Sequence, residues 1–508
     1  MINKNKTNEL TSLLLSSHGS STEQQQKNDN EYSHSETAII EGMKVGTIWS
    51  GIVNLSNTIM GAGLLGLPGA FAGTGYLGGL GLIVLSAVLS AHGLILLSQS
   101  AQRVLVQQQP AGGGVPPPSS FYTVAHAAVP SYTILIDFAV ALKCFGVATG
   151  YLITISDSMV DVMGFVFRTT TEETQQQQQW MIQCLLSRQL WVFVAVLAVL
   201  PVSFYKTLDA LKKASSLALI CVLLLAFSIV AYANGLFVDN PCGGSSNGTS
   251  DNNDDGCRGA VVAFTDLPTT FSKVPIFIFA FTCHQNIFPI VNELQHRTQP
   301  RLNRIIYASI GFALVLFMVV AFEGYVTFGS HTRGDILLNY PHDDTNVTVL
   351  RVCIAVMLIL HYPLQLDPGR RCLTSLINVI TDWWSERQRK RRYNTKHPAE
   401  DTKNRAVLDA NDADDDAGKR RFSSSSLFKG ITVAFLLLSF VVAMIIDDLG
   451  IVLACVGATG SILVSYVLPG LIYMKLHHDY DRTKIAAILQ LVMGCILIPI
   501  AFYYVVHK

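Results

Sequence analysis

The chain has 508 residues, half of them apolar and only 14% charged, against roughly 25% charged in soluble domains. Its 36 basic and 36 acidic residues cancel, so no global field favours nucleic acid or an acidic partner. The composition excludes an ordinary soluble domain and fits a chain that faces lipid along much of its length.

Residues 1–42 are polar and rich in Ser, Asn, Gln and Lys, with no basic segment leading into an apolar one. They predict a disordered tail on the cytosolic side rather than a cleaved signal peptide. Within it Glu9, Leu13 and Leu14 fit the acidic dileucine pattern that sorting adaptors read to route membrane proteins to lysosomes or vacuoles. From residue 43 onward the chain alternates apolar stretches with short polar links. Spans of about 20 apolar residues are predicted at 46–73, 75–100, 131–160, 189–206, 214–236, 274–292, 303–329, 348–367, 428–446, 450–474 and 484–506.

With the N-terminus cytosolic, the cytosolic segments and the span ends beside them hold 28 of the 36 Lys and Arg residues, 14 of them in and next to one loop, and the far face, counted the same way, holds seven. This is the positive-inside bias, and eleven spans then put the C-terminus on the lumenal or extracellular face. The sequons at Asn247 and Asn346 both fall in loops on that face, where glycosylation is permitted. The loop at 237–272 also carries Cys242 and Cys257, whose spacing and oxidising compartment predict a disulfide, with Cys184 as the competing partner. Residues 101–130 read as a flexible cytosolic link with prolines at 110 and 116–118, and 172–179 as a Gln-rich link. The segment 369–427 reads as a long cytosolic loop whose basic cluster, Arg387–Arg392, faces anionic lipid.

Two spans break the apolar pattern. In hydrocarbon every backbone group needs a partner, so irregular backbone at depth is tolerated only where it lines a cavity. The first span reads Asn54-Leu55-Ser56-Asn57-Thr58-Ile59-Met60-Gly61-Ala62-Gly63, polar residues followed by closely spaced glycines. Tight helix packing through small residues is the alternative explanation; the polar run points to a site. The sixth span repeats the anomaly at Phe281-Thr282-Cys283-His284-Gln285-Asn286, before Pro289. Breaks in spans one and six imply a repeat of five spans, and an odd number forces the second copy to be inverted.

These residues carry a resemblance. Asn54 to Pro68, Lys143 to Leu152, Phe281 to Asn286, Tyr362-Pro363-Leu364-Gln365 and Gly457 to Ser461, in that order, resemble the blocks of the amino acid/auxin permease family. The branch resembled is that of the vacuolar amino acid transporters and the sodium-coupled neutral amino acid transporters. The likeness runs over about residues 45–506, so 43–508 reads as one transmembrane transporter domain. It implies an all-α membrane fold with a five-plus-five inverted repeat of LeuT type and discontinuous helices 1 and 6. It implies ion-coupled transport of amino acids, of the neutral class, by alternating access as a symporter or antiporter; the dileucine in the cytosolic tail favours the vacuolar or lysosomal membrane, with the plasma membrane as the alternative. No enzyme activity and no cofactor follow, only a co-transported proton or sodium ion. A sensor that binds an amino acid and signals through the cytosolic segments is the competing class.

By the same likeness the substrate carboxylate meets backbone amides over Asn57, Thr58, Ile59, Met60, Gly61, Ala62 and Gly63, at a half-helix N-terminus. Phe281, Thr282, Cys283 and Asn286 line the side-chain end and Tyr151 closes it, unless Tyr151 is a packed core residue. Asn54, Ser56 and His361 fall where sodium-coupled relatives hold the ion. Imidazole is a poor ligand for an alkali cation but titrates near neutrality, so His361 favours proton coupling; a packed, carbonyl-bonded imidazole is the alternative. Lys143, an ammonium within the third span, either carries a proton or pairs with a carboxylate such as Asp137.

Overall fold

The computed structural model describes residues 46–108, 119–168, 179–204, 212–236, 241–242, 257–396 and 424–507. The expected tail, its dileucine and Asn247 lie outside them. The chain divides into two compact units, Met1–Thr47 with Glu293–His296, and Ile48–Asn292 with Arg297–Lys508. In the smaller unit the Gly46 amide donates to the Glu293 carbonyl at 2.7 Å and the Gln295 amide to the Gly46 carbonyl at 3.0 Å.

The larger unit is all-helical among the described residues: α1 (Ile48–Ile59), α2 (Ala62–Ala72), α3 (Tyr76–Gln107), α4 (Phe121–Ala128), α5 (Thr133–Arg168), α6 (Gln179–Leu185), α7 (Arg188–Ser203), α8 (Lys212–Ala233), α9 (Leu267–Ala280), α10 (Ile287–Glu293), α11 (Gln299–Phe328), α12 (Thr345–Lys396), α13 (Ser424–Ile445), α14 (Leu449–Val456), α15 (Leu468–Leu476) and α16 (Arg482–Val506). Eight of the helical stretches are long and apolar enough to cross a membrane, and α1 with α2 make a further span bent by 49°. Two shorter apolar helices, Arg188–Ser203 and Leu217–Ala233, occupy the fourth and fifth expected positions. This is a multi-pass membrane protein, and side chains such as Leu85, Val88 and Leu223 stand exposed on the bundle surface, as a lipid-facing wall requires.

Local sequence explains the joints. Gly75 turns α2 directly into α3 with φ of 72°, and a Cβ there would lie 2.5 Å from the carbonyl of Ala263; only glycine fits both demands. Ser120 caps α4 in a reciprocal box with Thr123, which orders part of the link expected to be flexible. The larger departure is α12, whose 52 residues extend roughly 78 Å at 1.5 Å per residue, beyond a hydrocarbon core of about 30 Å. The segment expected as a loop from 369 therefore begins as helix and stays so to Lys396. Its 370–388 stretch has no helix breaker after Pro368, so the backbone bonds continue past the apolar part. Trp383 and Trp384 stand exposed there, with the Arg387 guanidinium 4.0 Å from the Trp383 ring.

In the core, α11 crosses α1, α2 and α3, and α5 packs along α12. One end of the bundle is tied by charge. Arg351 of α12 is fully buried and donates to the carbonyls of Leu337 and Tyr340, each at 3.0 Å, and of Pro341 at 3.3 Å. Its Nε faces Asp161 Oδ2 at 3.2 Å, and His342 Nδ1 lies 3.1 Å from the other oxygen. Arg188 pairs with Asp157 at 2.8 Å and donates to the carbonyls of Ala443 and Ile446 at the end of α13. Asp335, buried before α12, accepts the Leu337 amide at 3.0 Å; burial pushes its carboxyl up to about 7, with Asp157 and Asp161 adding to the rise and Arg351 opposing it. The same end holds the Cys242–Cys257 disulfide, formed as expected with Cys184 left free, and the exposed Asn346.

Candidate functional site

The first span breaks at Met60 and Gly61. The Gly61 amide turns back to the Ile59 carbonyl at 3.0 Å, and α2 opens without a side-chain cap. The amides of Ala62 and Gly63 reach no carbonyl among the described residues, so α2 presents free donors and the positive end of its dipole, a ready anion site. In the sixth span α9 stops at Ala280 and a 3-10 turn at His284–Asn286 leads into α10. Hydroxyls satisfy the broken backbone: Ser90 donates to the Phe281 carbonyl at 2.7 Å and Thr282 to that of Ile278 at 2.7 Å. Asn286 Nδ2 donates to Thr58 Oγ1 at 2.6 Å and so ties the two broken spans together.

Between the breaks lies a narrow cavity with internal room for about one water. Thr58, Ile59 and Gly61 to Gly63 form one wall, and Phe279, Ala280 and Thr282 the facing one. Lys143, Val147 and Tyr151, spaced at i, i+4 and i+8, present one face of α5. Gln365 closes the cavity from α12. Tyr151 and Gln365 hydrogen-bond each other, and a Cβ on Gly61 would sit 2.8 Å from the Tyr151 hydroxyl. Gly63 touches the facing wall, where a Cβ would lie 2.9 Å from Ala280 Cα. The arrangement suits a small zwitterion: free amides for a carboxylate and, at the end of α9, a helix C-terminus for an ammonium.

Beside the break, His361 Nε2 lies 3.1 Å from Asn57 Oδ1, both side chains being buried. Asn57 Nδ2 and Ser56 Oγ find no partner there. Asn54 contributes its carbonyl, which accepts from Thr58 Oγ1 at 3.0 Å.

The sequence matches the family described as "Transmembrane amino acid transporter protein" over residues 44–507. The chain belongs to this family. It is 30% identical over 453 residues to vacuolar amino acid transporter 5 of Schizosaccharomyces pombe, covering 87% of this chain and 88% of that one. Against vacuolar amino acid transporter 5 of Saccharomyces cerevisiae it is 29% identical, covering 70% and 75%. With sodium-coupled neutral amino acid transporter 7 of Xenopus laevis it shares 22%, over 73% and 70%. The family is one of transporters, so this member is not an enzyme.

Of the residues expected at the site of this transporter, Thr58, Ile59, Gly61, Ala62, Gly63, Tyr151 and Thr282 line the cavity. Asn57 turns away to His361, Phe281 stacks edge-on with Phe317 at 5.2 Å, and Asn286 acts through Thr58. Met60 and Cys283 are buried outside the lining. Lys143 lines the cavity, and the pair with Asp137 does not form: Asp137 faces Ser375 and Cys372 instead. Gln365 was missed as a lining residue. Its signal was its place four after His361, on the same helix face. Phe279 and Ala280, just before the polar run, and Val147 were missed because apolar lining has no signature against core packing.

Proposed function

We propose that this chain is a secondary active transporter of amino acids, working by alternating access around the cavity between its two broken spans. The observation that carries the reading is the pair of unpartnered amides at Ala62 and Gly63, on the cavity wall that faces the end of α9 between the two breaks. The names of the relatives support the substrate class and favour a vacuolar or lysosomal membrane. A five-plus-five inverted repeat accounts for breaks five spans apart. Transport is coupled to protons: His361 stands against Asn57 where a hydroxyl ligand for sodium is expected, and histidine is the side chain that exchanges a proton near neutrality. Asn346 is exposed, as glycan attachment at its sequon requires. The test is uptake of labelled amino acids into proteoliposomes under an imposed pH gradient or an imposed sodium gradient, for wild type and His361→Ser. Uptake driven by the pH gradient and lost in the variant is expected. Uptake that follows sodium and ignores pH would overturn the proton reading.

A further inference from the structure

The cavity is lined by a lysine that no carboxylate pairs among the described residues. Lys143 is 2% exposed and takes part in no ion pair among the described residues. The groups around it are neutral: the thiols of Cys144 on its own helix and Cys283 on the broken sixth span, and the imidazole of His284 beyond it. Gln365 faces the cavity from α12 with its Oε1 unpartnered. On the remaining side is Gly460, whose lack of a side chain admits the Lys143 backbone; a Cβ there would sit 2.7 Å from Lys143 Cβ. Gly460 belongs to a π-helical segment, Gly457–Ser461, a distortion that recurs at functional sites. Among the described residues, no element around the ammonium offers it a carboxylate.

An ammonium held in a water-poor interior without a counter-charge costs several kcal/mol, so its retention points to a partner that arrives from outside. A substrate's α-carboxylate already has its donors in the amides of Ala62 and Gly63. Lys143 lines the same cavity from α5, a further anion-binding group beside those donors. The site thus offers two groups for anions, the α2 amides and the Lys143 ammonium. We propose that Lys143 is the counter-charge for a side-chain carboxylate, so that the cavity selects acidic amino acids in place of the neutral class that the family resemblance implies. This rests on the reading of the cavity as the amino acid site. A neutral substrate leaves Lys143 unpaired when the cavity closes, whereas glutamate or aspartate pairs it and leaves its amide analogue at a disadvantage.

The experiment uses the full chain in proteoliposomes and in detergent. Glutamate, aspartate, glutamine and asparagine are compared as competitors of labelled glutamate uptake and as stabilisers in thermal melts, with sodium chloride alone as the control anion. In wild type each acid is expected to compete at least tenfold more strongly than its amide, and Lys143→Met and Lys143→Gln are both expected to bring that ratio to one or below. Amides that match or exceed the acids in wild type overturn the proposal while leaving amino acid transport intact. Stabilisation by chloride with no discrimination between acid and amide overturns it as well. A tenfold wild-type preference that survives in a folded Lys143→Met shows that another group reads the carboxylate and overturns the assignment. If no amino acid binds or is taken up, the transporter reading falls first.

Discussion

Gly63→Ala tests the contact on which the candidate site depends. The added methyl would lie 2.9 Å from Ala280 Cα and 3.1 Å from Ala280 Cβ, where carbon atoms prefer about 3.5–4.0 Å. Both obstructing atoms are fixed to the backbone at the end of α9, so α2 and α9 must part by roughly 0.5–1 Å. Overpacking of this kind costs about 1–3 kcal/mol, which corresponds to a fall of about 5- to 150-fold in transport efficiency if closure requires the contact. Gly61→Ala differs, because its methyl meets the far end of a side chain, the Tyr151 hydroxyl at 2.8 Å. Removing that hydroxyl in Gly61→Ala/Tyr151→Phe is expected to recover part of the lost uptake, while Tyr151→Phe does nothing for Gly63→Ala. The assay is the initial rate of uptake against substrate concentration in proteoliposomes, with the melting midpoint of each purified variant as the folding control. Wild-type kinetics for Gly63→Ala, or equal rescue of both glycine variants by Tyr151→Phe, would refute the reasoning.

Two further outcomes concern the charged end of the bundle. Arg351→Met strips Asp161 of its ion-pair partner and three carbonyls of their donor, a loss of about 3–5 kcal/mol for a broken buried pair; a sharp drop in melting midpoint is expected, and an unchanged midpoint would show that the network does not hold this end. Asp335 titrates at about 7 in the fold against 3.8 in an unfolded chain. Its contribution is therefore complete below pH 3.8 and lost as pH rises through 7, at most about 4 kcal/mol. Melts of wild type and Asp335→Asn from pH 4 to 8 are expected to diverge over that window, and parallel curves would sink the assignment.

How much of the fold and the site was legible in the sequence depended on whether a residue was out of keeping with its surroundings. The polar run from Asn54 to Thr58 and the glycines after it announced the first break because lipid tolerates neither without a use. The sixth announced itself in the same way through Thr282 to Asn286. Side-chain direction was not legible: Asn57 and Thr58 are neighbours, yet one turns to His361 and the other lines the cavity. Val147, Phe279 and Ala280 were invisible for the opposite reason, since in an apolar span an apolar wall looks like any other surface. The extension of α12 past 369 was hidden because a rise in charge density marks where a helix leaves lipid, which is not where its hydrogen bonds end. The π-helical turns at Gly457–Ser461 and Leu463–Val467 follow from packing against neighbouring helices, and no local residue pattern encodes them.

That long helix has a mechanical consequence. Gln365, at the cavity, and Lys396, at the last described turn, belong to one helix that carries Pro368 between them, separated by 31 residues or roughly 47 Å. If the part of α12 that lines the cavity tilts by about 10° as the site changes access, the tip sweeps about 8 Å on that length. A motion too small to follow among packed side chains thus becomes a displacement that a pair of spectroscopic labels can measure, one placed near residue 388 and one on α16. The helix works as a pointer attached to the site, and its dial is the charged, exposed stretch beyond Trp384.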